Sequence, residues 1–266
     1  MIVGCLTDRV GRARIEAGAR GFERTVWLET FADVLAMVAE HPTDVTGVVV
    51  GWIDVGGVPP MHLIGELRRV FPAVPILGYC LSAAERLDDL RRMAVAGVHQ
   101  LLLDTTADSR SVVRSALETS RRLCAATQIF AQIQDVIPTK LHPLVLTALE
   151  NPTRTTSVAA LARELGVDRK TLHNWCTTEQ FLAPRDLLRW SRLLLAAALL
   201  NWSGRSVTSV ATELEYPTDN SLRIAIRRQF RVQPSSLKRG GTDRAVGAFR
   251  AYVARRRPFQ RTIAVA

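Results

Sequence analysis

Four cysteines in 266 residues, Cys5, Cys80, Cys124 and Cys176, are too few and too scattered for a disulfide scaffold. No CxxC pair and no paired Cys/His spacing builds a zinc site. Long apolar runs are also missing: residues 193–200 form the greasiest stretch, far below the ~20 residues of a membrane span. The opening MIVGCLTDRVGR is too short an apolar run for a signal peptide, so the expectation is a cytoplasmic protein in a reducing compartment with no membrane partner. No Gly-rich phosphate loop, metal cluster or nucleophile–base–orienter set stands out, and the five histidines (41, 62, 99, 142, 173) are dispersed. The expectation is therefore not an enzyme, with no cofactor and no metal.

Lysine is nearly absent as well. Only Lys140, Lys170 and Lys238 accompany the arginines, yet 35 basic residues against 25 acidic ones leave a net charge of +10. Residues 1–125 hold 14 Arg and 15 acids (net −1), residues 126–156 hold two of each sign, and residues 157–266 hold 19 Lys+Arg against 8 acids (net +11). A near-neutral half joined to a basic half is the pattern of a regulatory module tethered to a nucleic-acid reader.

In the first half, short apolar runs at residues 2–6, 26–28, 45–52, 74–80 and 98–103 are separated by segments of helical spacing, including 32–38, 61–70, 83–94 and 109–126. Unalternating runs of this kind indicate a parallel sheet covered on both faces. The predicted fold of residues 1–126 is α/β, a doubly wound sheet of flavodoxin-like order.

Within that frame FPAVPILGYC (71–80) and AVAGVHQLLLD (94–104) resemble the stretches around the fourth and fifth strands of a response-regulator receiver domain. Hydrophobic pattern carries most of this resemblance, and the family's functional residues do not match. The resemblance puts the phospho-acceptor aspartate on Trp52, the end-of-strand Thr/Ser on Cys80 and the strand-five lysine on Asp104. Receiver chemistry needs carboxylates around Mg²⁺, a nucleophilic aspartate and a lysine. Here only Asp8 stands near the end of the first strand, and Asp54 is the one nearby substitute acceptor. The expectation is a pseudo-receiver used for homodimerisation or protein contacts, with Cys5, Asp8, Trp52, Asp54, Cys80 and Asp104 as its degenerate pocket. Binding of an unknown small-molecule signal there is the alternative, with Trp52 either a plug or a stacking platform.

Residues 127–156 carry Pro138, Pro143 and Pro152 around a short apolar run and end in NPTRTT, and read as a linker with a short helix. An internal repeat offset by 49 to 50 residues follows. Ser157 precedes the stripe Val158, Leu161, Ala162, Leu165, and Ser206 precedes Val207, Val210, Ala211, Leu214. Each stripe runs through a tight turn into a second helix with an apolar inner face, Leu172/Trp175/Cys176 or Leu222/Ala225/Ile226. Such pairs are helix-turn-helix units, whose second helix enters the major groove of DNA.

Two copies joined by a long helix (184–201) resemble the DNA-binding domain of the AraC/XylS transcription factors. The resemblance covers residues 157–239 and is strongest in SVAALARELGVDRKTL (157–172) and FRVQPSSLK (230–238). Glu215 and Arg231 stand where that family has glycine, so the local turns must adjust if those positions need positive φ. Helical spacing turns Arg169, Lys170, Thr171, His173 and Asn174 outward on the first reader helix. On the second it turns out Thr218, Asp219, Asn220, Ser221, Arg223, Ile224, Arg227 and Arg228. The resemblance assigns base reading to Lys170, His173, Asn174, Asp219, Asn220 and Ile224. Lys and Asn suit purine edges, and Ile224 suits a thymine methyl. Asp219 is expected to cap its helix, with acceptance from a cytosine amine as the alternative. Arg223, Arg227, Arg228, Arg231 and Lys238 are expected on phosphates. Residues 240–266 read as a basic amphipathic helix, packed on the reader or tracking the DNA backbone, and a disordered tail after Pro258.

The expected function is a double-stranded DNA-binding transcriptional regulator governed through the pseudo-receiver. The alternative is an adaptor whose α/β half binds a partner while the basic half docks to nucleic acid.

Overall fold

The computed structural model describes residues 1–256 except 22, 43, 73, 81–86, 104–108, 202–204 and 239. Asp104 and the tail after Pro258 lie outside the described residues. The chain divides into two compact units, Met1–Cys124 and Ala125–Ala266.

Unit 1 is a five-stranded parallel sheet in the order β2-β1-β3-β4-β5, the flavodoxin-like order. Its strands are β1 (Ile2–Cys5), β2 (Thr25–Trp27), β3 (Gly47–Val50), β4 (Ile76–Cys80) and β5 (Gln100–Leu103). The helices are α1 (Arg9–Ala19), α2 (Phe31–Glu40), α3 (Met61–Val70), α4 (Leu87–Ala96) and α5 (Ser109–Ile133). Strand residues alternate between two cores. Val3, Cys5, Val48, Val50 and Ile76 pack with Val34 and Val38 of α2 and Ile64 and Leu67 of α3. Ile2, Val49, Leu77 and Tyr79 pack with Ile15 of α1 and Val113 and Leu117 of α5. Period-two alternation between two apolar layers is why the strands read as unbroken hydrophobic runs.

The polar stretch with Gly11 and Gly18 is α1, capped by Asp8, whose carboxylate accepts the amides of Val10 and Gly11. A Cβ at Gly11 would meet Tyr79 Cε1 at 2.5 Å, so a glycine is needed where α1 crosses β4. That close approach keeps the helix from announcing itself by propensity.

The segment expected to be a linker is part of the second core. The division between units falls inside α5, and Ile129, Ile133, Ile137 and Leu141 are buried with the helical domain. So are Leu144, Val145, Ala148 and Leu149 of α6 (His142–Glu150). The prolines that suggested a linker mark element ends: Pro138 precedes a 3-10 turn, Pro143 sits in the first turn of α6 and Pro152 follows it.

Unit 2 continues with α7 (Val158–Glu164), α8 (Arg169–Thr178), α9 (Pro184–Asn201), α10 (Val207–Glu213), α11 (Asp219–Phe230) and α12 (Gly241–Arg256). Helix α9 is the axis, buried almost all round from Leu187 to Leu200. The basic C-terminal helix is the packed α12: Ala245, Val246, Phe249 and Val253 are buried, and Phe249 lies 5.3 Å from Trp190 between ring centroids. Arg250 grips Asp135 with two hydrogen bonds of 2.7 and 2.6 Å and also donates to the Gln132 carbonyl.

Candidate nucleic-acid interface

The two halves of unit 2 repeat bond by bond. Ser157 accepts the Ala160 amide at 3.1 Å to start α7, and Ser206 accepts the Ser209 amide at 3.0 Å to start α10. At the other end of each helix, Gly166 N–H donates to Arg163 and Val167 N–H to Ala162, while Glu215 N–H donates to Thr212 and Tyr216 N–H to Ala211. The central turn residue is left-handed in both copies, with φ +66° at Gly166 and +53° at Glu215. Arg231, the C-cap of α11, is left-handed too at +57°. The two non-glycine residues thus adopt positive φ, and the turns do not adjust.

Each reader helix is then capped by a short polar side chain. Asp168 accepts the Thr171 amide at 2.6 Å, a hydrogen bond that holds the Asp168 carboxyl below its usual range. Thr218 accepts the Ser221 amide at 3.1 Å and shares a 2.9 Å hydroxyl contact with Ser221. The cap of the second reader is therefore Thr218 and not Asp219. Asp219 is the first helical residue and pairs with Arg223 one turn on, at 3.4 Å.

The inner faces are buried through Leu172 and Cys176 of α8 and Leu222, Ile226 and Phe230 of α11. On the outer face of α8, Arg169, Lys170, His173 and Asn174 are exposed and Thr171 is half-buried. On α11, Asn220, Ile224, Arg227 and Arg228 are exposed, while Asp219, Ser221 and Arg223 are half-buried. Ile224 leaves 54% of its surface in water, an unusual position for an isoleucine on a charged helix face. Arg227 is steadied by the Gln233 side chain at 3.0 Å. Lys170, His173, Asn174 and Asn220 make no side-chain hydrogen bond among the described residues, so their donors and acceptors face solvent.

Residues 161–240 match the model of a helix-turn-helix domain family. They are a helix-turn-helix domain. Among solved structures, full-length FixJ from B. japonicum aligns over 74% of this chain and 95% of its own, at 17% identity and TM-score 0.38. RcsB from Salmonella enterica serovar Typhimurium, bound to promoter rprA, aligns over 71% and 97%, at 13% identity and TM-score 0.34. No curated protein matches the chain by sequence.

The helix-turn-helix domain includes three arginines that the sequence pattern did not single out. Arg185, Arg189 and Arg192 stand at i, i+4 and i+7 on α9, a spacing that puts them on one helix face. They line a cleft of about 900 Å³ together with Arg169 of α8 and Arg228 of α11.

In unit 1 the receiver-like positions gather at the C-terminal edge of the sheet, where Cys5 is opposite Val50 and Cys80 is opposite Leu103. Trp52 is half-buried against the same apolar layer as Cys5, a filler of that core. Asp54 is only 4% exposed. Its carboxylate accepts the Val58 amide at 2.9 Å and the Phe31 amide at 3.1 Å, tying the loop after β3 to the start of α2. Burial disfavours its charge, but the backbone amides of Val58, Phe31, Gly56 and Asp54 outweigh it and hold the carboxyl below its usual range. Cys5 donates to the Glu29 carbonyl at 3.3 Å, and burial, with the charge of Asp54 beside it, pushes the thiol up to about 11. A thiol so protonated is a poor nucleophile. Among the described residues, no cluster of three His, Cys, Asp or Glu could hold a metal, and no helix is long and apolar enough to cross a membrane.

Proposed function

We propose that the protein is a sequence-specific double-stranded DNA-binding transcriptional regulator, with unit 1 a pseudo-receiver that supplies its input. The carrying observation is the pair of reader helices in one domain, each anchored by the same turn and each turning Arg and Asn side chains to solvent, with Lys170 on the first. Lys170, His173 and Asn174 on α8, and Asn220 and Ile224 on α11, are the base-reading set in this proposal. Asn174 and Asn220 supply the donor–acceptor pair that matches adenine, and Ile224 supplies an apolar contact for a thymine methyl. Arg223, Arg227, Arg228, Arg231 and Lys238 position the duplex through its phosphates.

Two readers should enter successive major grooves about 34 Å apart, so one chain covers an asymmetric site and a homodimer through unit 1 covers two. Asp54 supports the pseudo-receiver reading because its lone pairs are already committed to backbone amides that stitch two loops together. A phosphoryl group there would break those bonds. The four cysteines are buried thiols outside any disulfide, in keeping with a reducing cytoplasm.

Duplex affinity measured across a salt series tests the reading. Several phosphate contacts should give a log–log slope of about −0.9 per contact. A flat dependence sinks it.

A further inference from the structure

The cleft on α9 is a strongly charged concavity of unit 2, and the helix-turn-helix fold alone does not call for it. Its walls hold the guanidinium groups of Arg169, Arg185, Arg189, Arg192 and Arg228 and a single carboxylate, Asp186. Arg192 is engaged: it donates to the Leu214 carbonyl at the end of α10 and lies 4.7 Å over the Tyr216 ring. Arg189 sits 3.1 Å from Asp186, and the same carboxylate is 3.4 Å from Arg256 of α12, so one acid is shared by two bases. Arg169, Arg185 and Arg228 have no acidic partner among the described residues. Convergent cations lining one concave surface repel one another and focus a positive potential, which an anion relieves.

The number and placement of these charges select the anion. A single small anion could neutralise one or two of the unpartnered guanidiniums, whereas three of them with Arg189 beside them suit a chain of phosphates. The cleft is also bordered by both readers, through the first residue of α8 and the last turn of α11. A strand that passes from one reader's groove to the next must cross the surface between them. Given the DNA-reading function proposed above, on which this inference rests, we infer that the cleft seats the sugar-phosphate strand between the two major grooves. Arg185 and Arg189 of the connecting helix act there as phosphate ligands in their own right. Planar guanidinium forks suit this task, each offering paired N–H donors to phosphate oxygens. The connecting helix then does more than space the readers: it fixes the register of the duplex against both.

The test uses the full-length protein and a duplex selected by it from a random pool. Arg185→Gln and the Arg185→Gln/Arg189→Gln pair should weaken binding to every sequence alike, leave base preference unchanged, and reduce the salt slope by about 0.9 for each phosphate ligand removed. Neutral methylphosphonates at the phosphates midway between the two half-sites should weaken the wild type and leave the double variant unaffected. Thermal unfolding of the variants confirms that they fold. If the wild type binds with a steep salt slope and the double variant keeps both affinity and slope, the cleft assignment is overturned while the reader stands. If the wild type binds no duplex, the DNA-reading proposal itself fails. Stabilisation of the wild type but not the variant by inorganic pyrophosphate, with duplex binding unchanged, would give the cleft to a small polyphosphate and overturn the assignment to a DNA strand.

Discussion

Gly166 and Glu215 occupy the same backbone position in the two helix-turn-helix units, left-handed in both, although only one of them is a glycine. A side chain in the left-handed region costs about 1–2 kcal/mol, and a glycine returns part of that through its freer unfolded state. Glu215→Gly should therefore stabilise the protein by about 0.5–1 kcal/mol. Gly166→Ala should destabilise it by about 1 kcal/mol through φ alone, since nothing lies within 4 Å of the added Cβ. Urea unfolding of both variants checks the pair, and a destabilised Glu215→Gly protein would contradict it.

Base readers and phosphate ligands should separate cleanly in binding. Asn174→Ala or Asn220→Ala should lose about 1–3 kcal/mol on the preferred duplex and little on others, as expected for an adenine contact. Arg227→Ala should weaken all duplexes by the same factor. Competition between specific and scrambled duplexes reads both, and equal losses for the two classes would refute the division of roles.

Asp54 should behave as a structural carboxylate. Asp54→Asn replaces an acceptor of buried amide hydrogens and should lower the unfolding temperature. Because its folded pKa lies below the unfolded value, the Asp54 contribution is complete above about pH 4 and is lost as pH falls through the folded value. Incubation with acetyl phosphate and Mg²⁺ should leave the intact mass unchanged, and a stoichiometric phosphoryl adduct on Asp54 would restore the phospho-relay.

His99 predicts a second pH window. Its Nδ1 accepts the Ile76 amide at 2.9 Å, and its Nε2 lies 2.9 Å from the Arg68 guanidinium, so neither ring nitrogen faces an acceptor that would welcome a second proton. Burial and the Arg68 charge bring its pKa down to about 4. The unfolded chain takes up this proton near pH 6.5 and the folded one only near 4, so stability should be full above about pH 6.5 and decline as pH falls toward 4. Denaturant midpoints at pH 7, 5.5 and 4.5 should trace the decline, and His99→Gln should flatten it.

Much of the architecture was legible because it rests on periodicity. The unbroken valine run of β3 (Gly47–Val50) is visible in one dimension because alternate residues face two apolar layers. The stripes of α7 and α10 are visible because their spacing repeats. Prolines misled at residues 127–156, since a proline looks the same in a linker and at the first turn of a packed helix. Asp219 misled for a similar reason: adjacent Thr and Asp can both cap, and only the backbone shows that Thr218 has the extended conformation of a cap.

Local order along the chain, read as apolar period, capping residues and a duplicated pattern, determined by itself the three-layer α/β unit, the tandem helix-turn-helix units and the outward side chains. Only the tertiary structure decided what depends on distant segments meeting. Asp54 is spent because Phe31 and Val58 bring it their amides. Five of the arginines behind the +10 charge line one cleft because α8, α9 and α11 converge around one shared carboxylate. A net charge is a property of composition, while a field strong enough to hold a strand depends on where those charges are brought together.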